Sequence, residues 1–200
     1  NKGIDIVDLT VGEPNFSAIK EVREDAKNRL DIGNFGYTEA LGLPSLRKAI
    51  ASHYQNFYGI HIPYERVCVT VGASGGFLLS ALVSFDPGDK VIMSTPYYPG
   101  YVNILKSLGV DVVLIEGRKD SSFQLTCDDL KSRLDNVKGV IVASPANPTG
   151  SIMPEKELKE ISKLCKLKDI ILIVDEIYHG IIYEEKCPST VYGFDDQAII

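Results

Sequence analysis

A single apolar run most constrains the fold of this chain. Residues 169–178 read D-I-I-L-I-V-D-E-I-Y, so five consecutive aliphatic residues lead directly to Asp175. A continuous, largely β-branched run of this length is typical of a parallel strand that is covered on both faces. In open α/β sheets the ligand crevice lies beyond the carboxyl ends of such strands. A carboxylate there requires a cationic partner or good hydrogen-bond donors, because its desolvation is costly. Taken alone, Asp175 is better explained as a cap of the backbone that follows it.

The rest of the chain repeats this pattern of short apolar runs separated by helical periodicity. We predict five strands, at residues 67–71, 90–94, 110–115, 140–143 and 170–174. Helices are predicted at 77–85, around Tyr101 to Leu108, near Leu130 and Leu134 with Thr126 as the cap, and after Pro154. Two more amphipathic helices precede them. The repeated strand–helix–strand order predicts an α/β fold, with a mostly parallel sheet and helices on both faces.

Composition narrows the class of protein. Two hundred residues suit one domain or part of a larger one, and the net charge of -6 argues against a nucleic-acid surface. The sequence shows no membrane span and no signal peptide, and its four cysteines and three histidines lack metal-ligand spacing. We therefore expect a cytoplasmic location, no metal, no nucleic acid and no membrane partner. Both ends stop abruptly in apolar sequence, which predicts a segment of a longer protein.

A glycine-rich stretch, G-A-S-G-G at residues 72–76, follows a predicted strand and opens a predicted helix. Successive backbone N–H groups, the helix dipole and the Ser74 hydroxyl together suit a phosphate. The stretch matches neither the dinucleotide pattern G-x-G-x-x-G nor the Walker pattern, which weakens both of those interpretations. A tight turn without a ligand explains the stretch equally well.

Two further segments follow strands and are predicted to reach the same edge of the sheet. Asn147 begins N-P-T-G, which forms a turn in any case, and its amide can equally bond its own backbone. The segment Y-Y-P-G-Y at 97–101 supplies aromatic rings, which serve either core packing or a platform for a planar ligand. Together, a phosphate cradle, an aromatic ring, an amide and the acid Asp175 suit a planar, phosphorylated, cationic heterocycle. Pyridoxal phosphate fits, because a buried aspartate keeps its ring nitrogen protonated and the ring can then accept electrons from a carbanion.

The sequence also resembles the fold type I, pyridoxal-phosphate-dependent aminotransferases of the aspartate aminotransferase superfamily. The resemblance covers nearly all of the chain. It rests on V-G-E-P-N-F at 11–16, G-Y-T-E-A-L-G at 36–42, Leu46-Arg47, V-G-A-S-G-G at 71–76, N-P-T-G at 147–150 and D-E-I-Y-H-G at 175–180. The resemblance implies that residues 1–200 form part of one large cofactor-binding domain, with the extreme N-terminal residues near the boundary to a small domain.

The resemblance further implies a role for each matching residue. Ala73 and Ser74 would bind the cofactor phosphate, and Tyr98 would stack on the ring. Asn147 and Tyr178 would bond the phenolic oxygen of the ring, and Asp175 would pair with the ring nitrogen. Gly12, with Asn147, would lie against the substrate. Tyr37 would reach the phosphate in the partner subunit, which implies a homodimer. Asp175 and Tyr178 are the catalytic candidates within this chain.

One element of the family pattern is missing. No lysine here lies in the context of the Schiff-base lysine, and Lys186, the closest by position, follows two glutamates as a surface residue would. The implied activity is amino-group transfer between an amino acid and a 2-oxo acid when the protein is complete, with this segment alone inactive. Two alternatives stay open: a pyridoxal-phosphate-dependent carbon–sulfur β-lyase, and an aminotransferase-like sensor domain of a transcription regulator.

Overall fold

The main element of the fold is a parallel sheet. The structure, a computed structural model, describes Gly12 and residues 16–33, 35–183 and 188–200. In this part of the chain the sheet has four strands, β1 (Lys90–Thr95), β2 (Asp111–Glu116), β3 (Val137–Ala143) and β4 (Ile171–Asp175). Their order is β2-β1-β3-β4, and every neighbouring pair is parallel. The predicted α/β class with a mostly parallel sheet is therefore confirmed.

The described ranges contain six α-helices. They are α1 (Lys20–Ile32), α2 (Pro44–Tyr58), α3 (Gly72–Ser84), α4 (Pro99–Ser107), α5 (Cys127–Lys131) and α6 (Glu155–Leu167), with short 3-10 turns at Tyr64–Arg66, Lys119–Ser121 and Val191–Gly193. Thr126 caps α5 as predicted, in a reciprocal capping box with Asp129. None of the helices in the described ranges has the length and apolarity needed to cross a membrane.

The two faces of the sheet bury separate hydrophobic clusters. Alternate strand residues such as Ile92, Val140 and Val174 pack with α5 and α6 on one face. The residues between them, such as Met93 and Ile141, pack with α3 and α4 on the other face. Strand β4 is flanked on both sides, because Ile199 forms a parallel bridge with Ile173 beyond it. The predicted helices on both faces are therefore confirmed.

Two predictions for the segment before β1 are wrong. Residues 67–71 form no strand, since no described segment pairs with them as a strand; the amide of Val69 instead donates to the carbonyl of Leu41 at 3.0 Å. Residues 72–76 are not a turn ahead of a helix but the first turn of α3 itself. Glycine suits its first position, because Gly72 has a φ of +74°.

The chain divides into two compact units, Asn1–Thr38 and Glu39–Ile200. The first contains α1, on which no residue is buried. The second contains the sheet, both hydrophobic clusters and the remaining helices. The prediction that residues 1–200 belong to one large domain stays a prediction.

Candidate active site

The segments that follow β1, β3 and β4 meet α3 around a cavity of about 190 Å³. The order β2-β1-β3-β4 places it at the point where successive connections leave in opposite directions, the usual position of a ligand crevice in such sheets. Six of the eight residues predicted for the site line this cavity: Ala73, Ser74, Tyr98, Asn147, Asp175 and Tyr178. The structure thus brings together residues that lie as far apart in the sequence as Ala73 and Tyr178.

Asp175 ends β4 with both carboxylate oxygens hydrogen-bonded. Its Oδ1 accepts the backbone N–H of Ile177 at 3.0 Å, which is the local cap that the sequence favoured. Its Oδ2 accepts the hydroxyl of Tyr101 at 2.5 Å. Each oxygen carries two lone pairs, so the carboxylate retains capacity for a further donor from the cavity. Among the described residues its partners are thus neutral donors rather than a cation.

Tyr101 is the partner that sequence reasoning missed. It lies in the first turn of α4 and is 6% exposed. Burial, and then the hydrogen bond to Asp175, raise the pKa of Tyr101 above its ordinary value. The hydroxyl therefore stays protonated and acts as a donor throughout the physiological range. Its helical spacing predicted an inward position, but the identity of its partner depends on the order of the strands.

The start of α3 supplies backbone donors to the cavity. The first N–H groups of an α-helix have no partner within the helix, and they carry the positive end of its dipole. Ala73 and Ser74 occupy this first turn, are exposed, and line the cavity. This arrangement suits an anionic group such as a phosphate.

A polar pair closes the opposite part of the cavity wall. The amide Nδ2 of Asn147 lies 3.5 Å from the hydroxyl oxygen of Tyr178, at the long limit of a hydrogen bond. The loop that carries Asn147 is held by Gln124, which is 5% exposed and donates to the carbonyls of Ala143 at 3.0 Å and Ser151 at 2.9 Å. Sequence reasoning did not identify Gln124, because nothing in the local pattern marks a buried glutamine as a loop anchor.

An aromatic wall completes the cavity. Tyr98 contacts Tyr101 edge-on with ring centroids 5.5 Å apart, and Tyr101 in turn contacts Phe77 at 4.9 Å. Tyr98 is partly exposed, so one part of its ring is available to a ligand. Gly100 allows the ring to lie there, since a Cβ at this position would be 2.4 Å from Cε1 of Tyr98.

The other two predicted residues, Gly12 and Tyr37, belong to the first unit of the chain. Both are exposed. Their roles toward substrate and partner subunit stay predictions. Lys186 lies outside the described residues.

Comparisons with known proteins identify the family of this chain. Residues 4–198 match the family described as Aminotransferase class I and II. The valine–pyruvate aminotransferase of Mycobacterium tuberculosis is 46% identical over 180 residues, covering 90% of this chain and 46% of that protein. An aspartate aminotransferase of Sulfolobus acidocaldarius is 36% identical over 193 residues, covering 95% of this chain and 48% of its own length.

Solved structures show the same fold. The crystal structure of an aminotransferase from Mycobacterium tuberculosis has a TM-score of 0.88 at 44% identity, covering 94% of this chain and 52% of that one. The aromatic aminotransferase of Pyrococcus horikoshii OT3 has a TM-score of 0.90 at 30% identity, covering 96% and 52% respectively. The chain belongs to the class I and II aminotransferases, which confirms the resemblance inferred from its motifs. It spans about half the length of the curated relatives that it matches.

Proposed function

We propose that the protein carrying this chain transfers an amino group between an amino acid and a 2-oxo acid with pyridoxal 5'-phosphate as cofactor. The observation that carries the proposal is Asp175, a carboxylate at the end of an interior strand, in a cavity at the crevice of the sheet. The names of the relatives favour amino-group transfer over the lyase and the regulator alternatives.

The residues around the cavity fit this cofactor chemically. The first turn of α3, with Ala73 and Ser74, would hold the phosphate through backbone N–H groups. Tyr98 would lie against the ring, and Asn147 with Tyr178 would donate to its phenolic oxygen. Asp175 has lone pairs left for a protonated ring nitrogen. The phosphate and the ring nitrogen of the cofactor would thus each meet groups of complementary charge.

The cofactor, when bound, supplies an electron sink for a carbanion at the substrate α-carbon. The chain's own residues would make that sink effective. The carboxylate of Asp175 stabilises positive charge at the ring nitrogen, and Tyr101 and the N–H of Ile177 fix its orientation. Donors from Asn147 and Tyr178 would stabilise negative charge at the phenolic oxygen, while the buried ring of Tyr101 excludes water from the side of Asp175 that it covers.

The remaining parts of the proposal rest on the family. The Schiff-base lysine and the arginine for the substrate carboxylate would be supplied outside this chain. Gly12 would lie near the substrate, and Tyr37 would bind the phosphate in the partner subunit of a homodimer. The cytoplasmic location expected from the sequence belongs to the same proposal.

Replacing Asp175 tests the proposal. In the complete protein, Asp175→Asn keeps the size of the side chain but removes its charge. We expect turnover to fall by roughly 30-fold to 4000-fold, because losing one partner of a buried charge pair costs about 2–5 kcal/mol and each 1.4 kcal/mol is about tenfold in rate. Steady-state kinetics with matched amino-acid and 2-oxo-acid pairs measure the loss, and absorption of bound cofactor shows whether the site still fills.

Asp111→Asn is the matched control, since Asp111 is exposed at the start of β2, away from the carboxyl ends of the strands. The control should retain normal turnover. Near-normal turnover in Asp175→Asn would defeat the proposed role of this carboxylate.

A further inference from the structure

His179 connects three separate segments next to the site. It follows Tyr178 directly, and its side chain is 8% exposed. Its Nε2 lies 3.0 Å from the carbonyl oxygen of Ser144, in the loop that leads to Asn147. Its Nδ1 lies 2.7 Å from the hydroxyl of Tyr58, at the end of α2. The family motifs named in the sequence analysis imply no role for His179.

The chemistry of these partners fixes the form of the imidazole. A carbonyl oxygen can only accept, so Nε2 carries the proton and donates to Ser144. In the neutral ring Nδ1 then accepts from the hydroxyl of Tyr58. Burial lowers the pKa of His179 below its ordinary value, which favours this neutral form. The other titratable groups that face this turn are Glu176, whose Oε2 lies 3.6 Å from Nδ1, and Asp175.

The contact with Ser144 bears directly on the pair formed by Asn147 and Tyr178. Ser144 lies three residues before Asn147, and His179 lies one residue after Tyr178, so the two loops are joined close to both polar groups. The loops meet again where the N–H of Ser144 donates to the carbonyl of Asp175 at 3.0 Å. With Tyr58 holding the ring from the far side, the imidazole has one orientation.

We propose that His179 is a positioning residue that bridges Ser144 and Tyr58. The bridge sets the separation of Asn147 and Tyr178. It thereby sets the hydrogen bonds that these two residues make to the phenolic oxygen of the cofactor. This inference rests on the proposed function for its ligand, but the bridge itself is a property of the chain. His179 acts through the two loops and does not line the cavity.

Two readouts test the proposal in the complete protein. The first is the pH at which the visible absorption of the bound cofactor changes. Hydrogen-bond donors to an anionic phenolic oxygen lower this pH. The second is hydrogen exchange of the backbone amides of residues 177–181 in the apoprotein. His179→Phe keeps a ring and removes both nitrogens, whereas His179→Gln restores one donor and one acceptor. His61→Phe is the matched control, because His61 is exposed and follows the end of α2.

We expect His179→Phe to raise the absorption transition by roughly half to one pH unit, the size of shift that an ordinary hydrogen bond produces, and to accelerate exchange at 177–181. His179→Gln should recover a large part of both effects, and His61→Phe should show neither. If His179→Phe fails to fold, Tyr58→Phe takes its place as the test variant. It removes one of the two contacts of His179 and should shift both readouts in the same direction.

An unchanged transition in His179→Phe, or in Tyr58→Phe when the former is unfolded, would overturn the positioning role, even if exchange became faster. A normal transition together with normal exchange would also show that the bridge does not hold the two loops. If the unaltered protein bound no cofactor with a visible band, the proposed function would fail, while exchange in the apoprotein would still test the bridge.

Discussion

Glu176, the neighbour of Asp175, gives a pH-dependent stability that can be worked out from the structure. Glu176 is 9% exposed, its Oε1 accepts the N–H of Val191 at 2.7 Å, and its Oε2 lies 3.6 Å from Nδ1 of His179. Burial raises the pKa of Glu176 from 4.5 to about 7, and the nearby Asp175 contributes in the same direction. The folded protein therefore keeps a proton that the unfolded chain releases.

The sign and size of the effect follow from this difference. Between pH 4.5 and about 7 the folded state binds more protons at Glu176, so raising the pH through this window lowers the free energy of unfolding. The gap between the two pKa values, at about 1.4 kcal/mol per pH unit, amounts to about 3 kcal/mol. This stability is fully present below pH 4.5 and lost above about pH 7.

Glu176→Gln isolates the effect, because the amide keeps an acceptor for Val191 and has no proton to lose. We expect the variant and the unaltered protein to have similar stability near pH 5 and the variant to be more stable by about 3 kcal/mol at pH 8. Urea unfolding followed by far-ultraviolet circular dichroism, repeated across this range, measures the difference.

Glu65→Gln is the control, since Glu65 is exposed and should leave the pH dependence unchanged. A difference between Glu176→Gln and the unaltered protein that stays constant with pH would refute the reasoning. So would a variant that is less stable than the unaltered protein at pH 8.

Two other substitutions test the packing of the sheet and the shared site. Gly139→Ala should lower the free energy of unfolding by about 1–3 kcal/mol, because the new Cβ would lie 2.4 Å from Cζ of Phe85 and 3.2 Å from Cγ2 of Val91. Urea unfolding measures this loss of stability, and a midpoint equal to that of the unaltered protein would contradict the prediction. Tyr37→Phe, mixed with a variant that lacks the Schiff-base lysine, should regain activity through hybrid dimers with one intact site. Persistent inactivity of such mixtures, with subunit exchange demonstrated by mass spectrometry, would argue against the shared site.

The sheet could be predicted from sequence because its strands are continuous apolar runs. Residues 90–94 and 170–174 were predicted within one residue of β1 and β4. The segment 67–71 has the same local character but forms no strand, since a strand also requires a partner whose position no local pattern reveals. Helix caps such as Thr126 were predictable because the capping box is a local motif.

The part of the site that could be predicted consists of side chains that come directly after the carboxyl ends of strands. Asp175 and Asn147 were identified by position, and both now line one cavity. The partners of these groups were not predictable, because the contact between Tyr101 and Asp175 spans strands that are not neighbours in the sheet. The bridge made by His179 likewise depends on loop geometry that the residue pattern does not encode.

The parallel bridge between Ile173 and Ile199 has a consequence for how the protein is made. The amide of Val174 donates to the carbonyl of Ile199 at 2.8 Å, and the amide of Ile199 donates to the carbonyl of Leu172 at 3.0 Å. The strand that ends at Asp175 therefore gains its second neighbour from a segment that the ribosome synthesises later. At about 5–20 residues per second, β4 leaves the exit tunnel with one edge unpaired, and that edge gains its backbone partner only after residue 199 has followed.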